Sequence, residues 1–158
     1  MNSRLASQIQ ISKVLNIISN MSRSSTLLNV PANTSFERAE RFFTLQNHMA
    51  LKKIVIGDYN CAQVYKFAIN GLPNLQALQI GKNCFTTEKN SKGDNPHRTF
   101  QIQGCPQLIG ISIGCYSFSD YSGTFEIKNC GALKHIQIGE IGSESNNFYE
   151  ASFILHGT

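Results

Sequence analysis

The feature that most constrains the fold is a pattern that returns five times along the 158 residues of the chain. Each copy begins with Phe-x-Ile/Leu-x-Asn/Gly, and the copies start at Phe43, Phe67, Phe100, Phe125 and Phe153. The distance from one opening phenylalanine to the next is 24, 33, 25 and 28 residues. Self-similarity at a period of roughly 20 to 50 residues is typical of repeat architectures, so we expect one here.

A second apolar motif follows the first in four of the copies. It begins eight residues after the opening phenylalanine and reads Leu-x-x-Ile/Leu-x-Ile-Gly. The leucines are Leu51, Leu75, Leu108 and Leu133, and the closing glycines are Gly57, Gly81, Gly114 and Gly139. Seven positions therefore hold in four successive copies, which chance does not explain.

Both motifs have the period of a short strand. Apolar and polar residues alternate in each, as they do in a half-buried strand, and turn residues separate the two. Strands this short cannot bury their inward faces alone, but stacked copies bury them by pairing each strand with the same strand of the next copy. The sequence therefore predicts a β-rich solenoid of about four to five rungs, with short parallel strands on two faces.

The second motif also resembles a known repeat. The segment from Leu75 to Phe85 reads Leu-Gln-Ala-Leu-Gln-Ile-Gly-Lys-Asn-Cys-Phe, which is similar to the L-x-x-L-x-L-x-x-N-x-L segment of leucine-rich repeats. The Cys/Leu-Pro-x-Leu-x-x-Ile-x-Ile-Gly-x-x-x-Phe phrasing is most similar to the irregular, BspA-like repeats of large microbial and protist proteins. The resemblance covers about residues 25–157 and implies a right-handed coil.

The resemblance also predicts a ladder of buried asparagine amides. Asn83 matches the ladder position in its copy, and a faint earlier copy places Asn33 there, where we expect its amide to be buried. The other copies depart from the pattern, because the same position holds Tyr59, Tyr116 and Ile141.

The two ends of the chain differ from the repeat. Residues 1–24 lack the pattern and are expected to form an N-terminal cap, with apolar contacts from Leu5, Ile9, Val14, Leu15 and Ile18. Residues 25–158 form the predicted solenoid. The copy that starts at Phe153 stops before its second motif, so either the chain is the front piece of a longer array or its open end associates with another molecule, end to end.

A candidate binding surface follows from the resemblance. In leucine-rich repeats the x residues of the short L-x-x-L-x-L strand face a partner. Gly110 holds one of the corresponding positions. The others are Lys53, Val55, Ala77, Gln79, Ser112, His135 and Gln137. The alternative is that these are ordinary solvated positions on the outside of a sheet.

Composition and motifs exclude several classes of function. The net charge of +4 comes from 14 basic and 10 acidic residues without a basic cluster, so we expect no nucleic-acid partner. No apolar run is long enough for a membrane span, and no signal peptide is recognised. No His-Glu-x-x-His, Gly-x-Ser-x-Gly or P-loop motif occurs, so we expect no enzyme activity, cofactor or metal.

The leading hypothesis is therefore a non-catalytic binding module for a protein or glycan. The alternative is a structural or adhesive segment of a surface protein, in which the repeats mainly set length and stiffness. The compartment is unknown: the expectation is cytoplasmic by default, and the cell surface if the chain is a fragment.

The packing predictions are more specific. Phe85 and Phe118 each lie 18 residues after an opening phenylalanine and are expected to stack. The five cysteines are expected to be buried free thiols, with Cys105 beside Cys130, because no zinc spacing or secretory signal occurs. We expect the insertion at 86–99 to be a tolerated solvent loop, with a functional loop as the alternative, and the aromatics Phe148 and Tyr149 to pack on the coil.

Overall fold

The computed structural model describes residues 13–34, 41–87 and 95–157. These ranges contain a short helix, α1 (Lys13–Asn20), followed by ten strands. The odd-numbered strands are β1 (Leu27–Val30), β3 (Lys53–Ile56), β5 (Ala77–Ile80), β7 (Gly110–Ile113) and β9 (His135–Ile138). The even-numbered strands are β2 (Phe42–Leu45), β4 (Lys66–Asn70), β6 (Thr99–Gln103), β8 (Thr124–Lys128) and β10 (Ser152–His156).

The strands form two parallel sheets. Sheet 1 contains the odd strands in the order β1-β3-β5-β7-β9, and sheet 2 contains the even strands in the order β2-β4-β6-β8-β10. Each strand pairs in parallel with the equivalent strand of the neighbouring rung, so that Phe67 lies beside Phe43 and Phe100. The predicted solenoid, with short parallel strands on two faces, is confirmed. Each turn of the coil contributes one strand to each sheet.

The core between the sheets contains two columns of stacked aromatic rings. The five opening phenylalanines form the first column, with centroid distances of 5.2, 4.7, 4.6 and 4.5 Å between successive rings. In the second column, Phe118 stacks on Phe85 at 4.6 Å and on Phe148 at 4.9 Å. Edge-to-face contacts join the columns, as in the pair Phe100–Phe118 at 5.2 Å. Edge-to-face and stacked pairs are both favoured arrangements of aromatic quadrupoles.

The predicted stacking of Phe85 on Phe118 is therefore confirmed. Phe148 also packs on the coil as expected, because it takes the next slot in the column after an insertion in the last rung. Tyr149 is 42% exposed, so it is much less buried than Phe148, which is 3% exposed.

The glycines that follow β3, β5 and β7 allow close approach between rungs. A Cβ at Gly57 would lie 2.5 Å from the backbone nitrogen of Ala32, and one at Gly114 would lie 2.6 Å from the carbonyl carbon of Gly81. Contacts this short between a Cβ and backbone do not occur without movement of the chain. Gly57, Gly81 and Gly114 thus permit their turns to pack directly on the turn of the preceding rung.

The buried polar ladder lies one residue later than the resemblance predicts. Asn33 is exposed, with a φ of 55°, and Tyr59 at the same position is 59% exposed, with a φ of 58°. The expectation that the Asn33 amide is buried is therefore wrong. The left-handed backbone conformation at this position turns the chain, and the following residue, Asn60, is the one that is buried.

Asn60 and its equivalents hydrogen-bond the backbone of neighbouring turns. The Asn60 amide nitrogen donates to the carbonyls of Pro31 and Gly57, both at 2.8 Å, and its oxygen accepts from the Thr34 amide at 2.9 Å. Two ladder positions further on, the Ser117 hydroxyl donates to the carbonyl of Gly81 at 2.6 Å. These side chains satisfy backbone groups that the turns leave without partners.

The two ends of the coil are covered to different extents. Val14 of α1 is fully buried at the N-terminal end, and Ile18 packs beside it, whereas Leu5 and Ile9 lie outside the described residues. At the other end, Phe153 and Leu155 of β10 are 53% and 62% exposed. These two residues continue the buried rows of β8, and no strand of the described residues lies beyond β10 to cover them.

The described ends of the 86–99 insertion are tied into the coil by a buried ion pair. The guanidinium Nη1 of Arg98 lies 3.3 Å from Asp120 Oδ2, and both side chains are more than nine-tenths buried. Asp120 also accepts from the Thr87 hydroxyl at 2.8 Å, and Arg98 donates to the carbonyl of Ala62 at 3.1 Å. The expectation of a simple solvent loop is therefore wrong at Arg98. Residues 88–94 lie outside the part of the chain that the structure describes.

Candidate functional site

The outward face of sheet 1 brings together every residue of the predicted binding surface. In-register pairing of β1, β3, β5, β7 and β9 arranges its side chains in two rows across the sheet. The first row is Leu27, Lys53, Ala77, Gly110 and His135. The second row is Asn29, Val55, Gln79, Ser112 and Gln137. We call these two rows the sheet 1 face.

The sheet 1 face is accessible along its length. Four of its ten residues are half-buried: Val55, Ala77, Gly110 and Ser112. The exposed residues are Leu27, Asn29, Lys53, Gln79, His135 and Gln137. Neighbours in a row lie about 4.8 Å apart, because that is the spacing of paired strands. Apart from Leu27 and Val55, the side chains are small or able to hydrogen-bond, and the backbone beneath them is fixed by strand pairing.

The sheet 1 face is uneven at one point, where the His135 ring lies over Gly110. A Cβ at Gly110 would come within 3.0 Å of the His135 ring atoms Cδ2 and Nε2. The imidazole therefore covers the backbone of β7. A side chain at residue 110 would displace this ring, so Gly110 sets the position of His135.

A charged ridge borders the sheet 1 face and was not predicted from the sequence. It consists of the residues that follow the column glycines, Asp58, Lys82 and Glu140. Lys82 Nζ lies 3.3 Å from Glu140 Oε1, and the backbone amide of Lys82 donates to Asp58 Oδ1 at 2.8 Å. A hydrogen bond and the charge of Glu140 raise the pKa of Lys82 above its usual value. The signal was available in the sequence, since each residue directly follows a repeat glycine.

The outward face of sheet 2 is a second polar surface, and it was not predicted from the sequence. Gln101 Nε2 donates to Glu126 Oε2 at 3.1 Å, and His156 Nε2 lies 3.7 Å from Glu126 Oε1. Ala68 in the same row is only 1% exposed, so this surface is less accessible than the sheet 1 face. These contacts tie neighbouring rungs together and leave fewer polar groups for a partner.

The interior offers thiols but no site with the geometry of a metal centre. All five cysteines are buried and none forms a disulfide, as predicted. Cys84 takes a place in the polar ladder and donates to the carbonyl of Gly57 at 3.2 Å, and burial raises its pKa to about 11. Within residues 13–34, 41–87 and 95–157, no three His, Cys, Asp or Glu side chains are grouped so that they could hold a metal ion.

Comparison with family models, with curated proteins and with solved structures finds no match to this chain. Across the described ranges, no helix has the length and hydrophobicity needed to cross a membrane.

Proposed function

We propose that this chain is a non-catalytic binding module that holds a protein or glycan ligand on its sheet 1 face. The observation that carries the proposal is the in-register row of Gln79, Ser112 and Gln137 on an accessible, rigid surface. The resemblance of the repeat sequence to irregular, BspA-like leucine-rich repeats also supports binding on the sheet 1 face, because the equivalent strand residues face the partner in leucine-rich repeats.

The chemistry of the sheet 1 face favours a neutral, hydrogen-bonding partner. Gln79 and Gln137 each present an amide with two donors and an acceptor, and the Ser112 hydroxyl between them both donates and accepts. Gln79 and Ser112 lie in β5 and β7, which are paired on both sides, and Gln137 lies in β9, which is paired with β7. Binding therefore orders side chains but not loops. Charged groups lie mainly on the bordering ridge, where they can orient a partner.

Loss of this row is expected to abolish most binding. The triple variant Gln79→Ala, Ser112→Ala and Gln137→Ala should weaken a ligand identified on a glycan or protein array by at least about tenfold, the equivalent of about 1.4 kcal/mol. The matched control changes two exposed residues of sheet 2, Gln103→Ala and Lys128→Ala, and should leave affinity within about twofold. Equal losses in both variants, with both folded, would rule out the sheet 1 face as the binding surface.

A structural or adhesive role is the second candidate, and the continuous strand ladder of both sheets favours it. In that case the repeats set length and stiffness, and the sheet 1 face is ordinary solvated surface. Surface adhesion would then persist in the triple variant, whereas a destabilised coil would lose it.

We further propose that the open end of the coil self-associates when the 158-residue chain is studied alone. β9 and β10 each have one unpaired edge, and Phe153 and Leu155 expose apolar surface that the equivalent residues of β8 bury. Unpaired edges beside exposed apolar residues favour pairing with another chain. Light scattering should therefore give a mass that increases with concentration.

Two phenylalanine-to-lysine variants test self-association, one at the open end of the coil and one, as the control, on the outward side of β2. Phe153→Lys should return the chain to a monomer, whereas Phe42→Lys, which alters a residue that is 62% exposed on β2, should not. A monomer at all concentrations in the unchanged chain would contradict the prediction.

A further inference from the structure

Two of the five cysteines occupy equivalent positions in neighbouring rungs. Cys105 and Cys130 each lie two residues beyond a strand-paired residue, Gln103 in β6 and Lys128 in β8. The ladder continues toward them, because the amide of Gly104 donates to the carbonyl of Lys128 at 3.0 Å. Each sulfur also lies over the carbonyl two residues before it, at 3.6 Å for Cys105 and 3.5 Å for Cys130.

This placement brings two free thiols within reach of a covalent bond. Neighbouring rungs are about 4.8 Å apart, within the Cα separation of about 4.4–6.8 Å that disulfides span. A hydrogen bond from the Cys105 thiol lowers the pKa of Cys130 to about 7, and the same contact together with burial raises the pKa of Cys105. Cys130 is also the more accessible of the two, at 9% against 0% exposed.

The other three cysteines lack a cysteine at the equivalent position in the next rung. Cys61 is followed in its column by Phe85, Cys84 by Ser117, and Cys115 lies beside Glu140. Cysteine pairing between neighbouring rungs therefore requires Cys105 and Cys130.

We propose that Cys105 and Cys130 form a redox-responsive site that closes a reversible disulfide between two rungs when it meets a small disulfide such as oxidised glutathione. The Cys130 thiolate attacks one sulfur of the small disulfide, forms a mixed disulfide and releases the first small thiolate, which takes up the proton that Cys130 lost. Cys105 then loses its proton and attacks the Cys130 sulfur, and the second small thiolate leaves with that proton. Two protein thiols are oxidised, and one small disulfide is reduced to two thiols.

The same geometry favours a disulfide that is easily reduced over a permanent structural one. Residues at matched positions of parallel rungs point in the same direction, which strains a disulfide between them, and strained disulfides are the more easily reduced ones. When closed, the bond links the rung of β6 to that of β8 and restrains opening of the C-terminal rungs. This inference is independent of the proposed binding function.

The experiment titrates the full chain with mixtures of reduced and oxidised glutathione. Thiols are then counted after denaturation, and cysteine pairs are identified by peptide mass mapping. The expected result is a fall from five free thiols to three, with a single Cys105–Cys130 cross-linked peptide, and a return to five on reduction. Amide exchange of β9 and β10 should slow in the oxidised form.

Two variants identify the order of attack. Cys105→Ala should leave Cys130 as a stable glutathione adduct with no internal disulfide, whereas Cys130→Ala should leave Cys105 unmodified. Cys61→Ala is the matched control and should still form the Cys105–Cys130 bond. Five free thiols at the most oxidising glutathione ratio, or a bond between any other pair, would overturn the proposal.

Discussion

Replacing Phe118 with alanine is expected to lower the free energy of unfolding by about 3–5 kcal/mol. The Phe118 ring is fully buried in the second aromatic column, and truncation would leave a cavity that neighbouring rungs cannot fill. It stacks between Phe85 and Phe148 and meets Phe100 edge to face. Because Phe100 is held in β6 and Phe85 and Phe148 are themselves buried in the core, the site cannot collapse easily. Urea unfolding monitored by far-ultraviolet circular dichroism measures the loss.

The matched control is Phe42→Ala on the outward side of β2. Its side chain is 62% exposed, so the free energy of unfolding should change by less than about 0.5 kcal/mol. A loss below about 1 kcal/mol for Phe118→Ala would mean that the aromatic columns contribute little to the core.

Removing the carboxylate of Asp120 is expected to destabilise the chain by a similar amount, about 3–5 kcal/mol. The Asp120→Ala variant would leave the Arg98 guanidinium buried without its counter-ion, although it keeps its contact with the carbonyl of Ala62. The change also removes the acceptor for the Thr87 hydroxyl. Chemical denaturation at neutral pH measures this effect.

A double variant separates the effect of the unpaired buried charge on stability from the effect of lost packing. Arg98→Met together with Asp120→Leu removes both charges and should recover most of the stability that Asp120→Ala loses, because apolar residues of similar volume can replace a buried pair. Glu140→Ala in the exposed Lys82–Glu140 pair should leave the unfolding midpoint unchanged. An unchanged midpoint in Asp120→Ala would show that the insertion is not anchored by this pair.

The spacing of the five opening phenylalanines was enough to predict the coil and its register. Strand pairing aligns Phe43, Phe67, Phe100, Phe125 and Phe153 in one row, as the repeat requires. This prediction succeeded because alternation with a period of two is a local property that assigns each side chain to one face of a strand. The sheet 1 face follows from the same alternation.

The turns could not be predicted in the same way. The resemblance placed the buried ladder at the position of Asn33, but the backbone there is left-handed and the side chain is exposed. The buried polar residue is the next one along the chain, as at Asn60. Which turn residue is buried depends on the carbonyls that the adjacent rung leaves unpaired, and those come from residues such as Pro31, 29 positions away in sequence.

The sequence by itself therefore determined the repeat, the two parallel sheets, the outward face and the proximity of Cys105 to Cys130. Only the tertiary structure decided that Arg98 reaches Asp120 across 22 residues and that Phe148 completes the second aromatic column. Both lie next to insertions that interrupt the period, so their positions are not fixed by counting along the chain. They are fixed by the space and the unpaired charge that the neighbouring rung leaves, which exist only after the coil has formed.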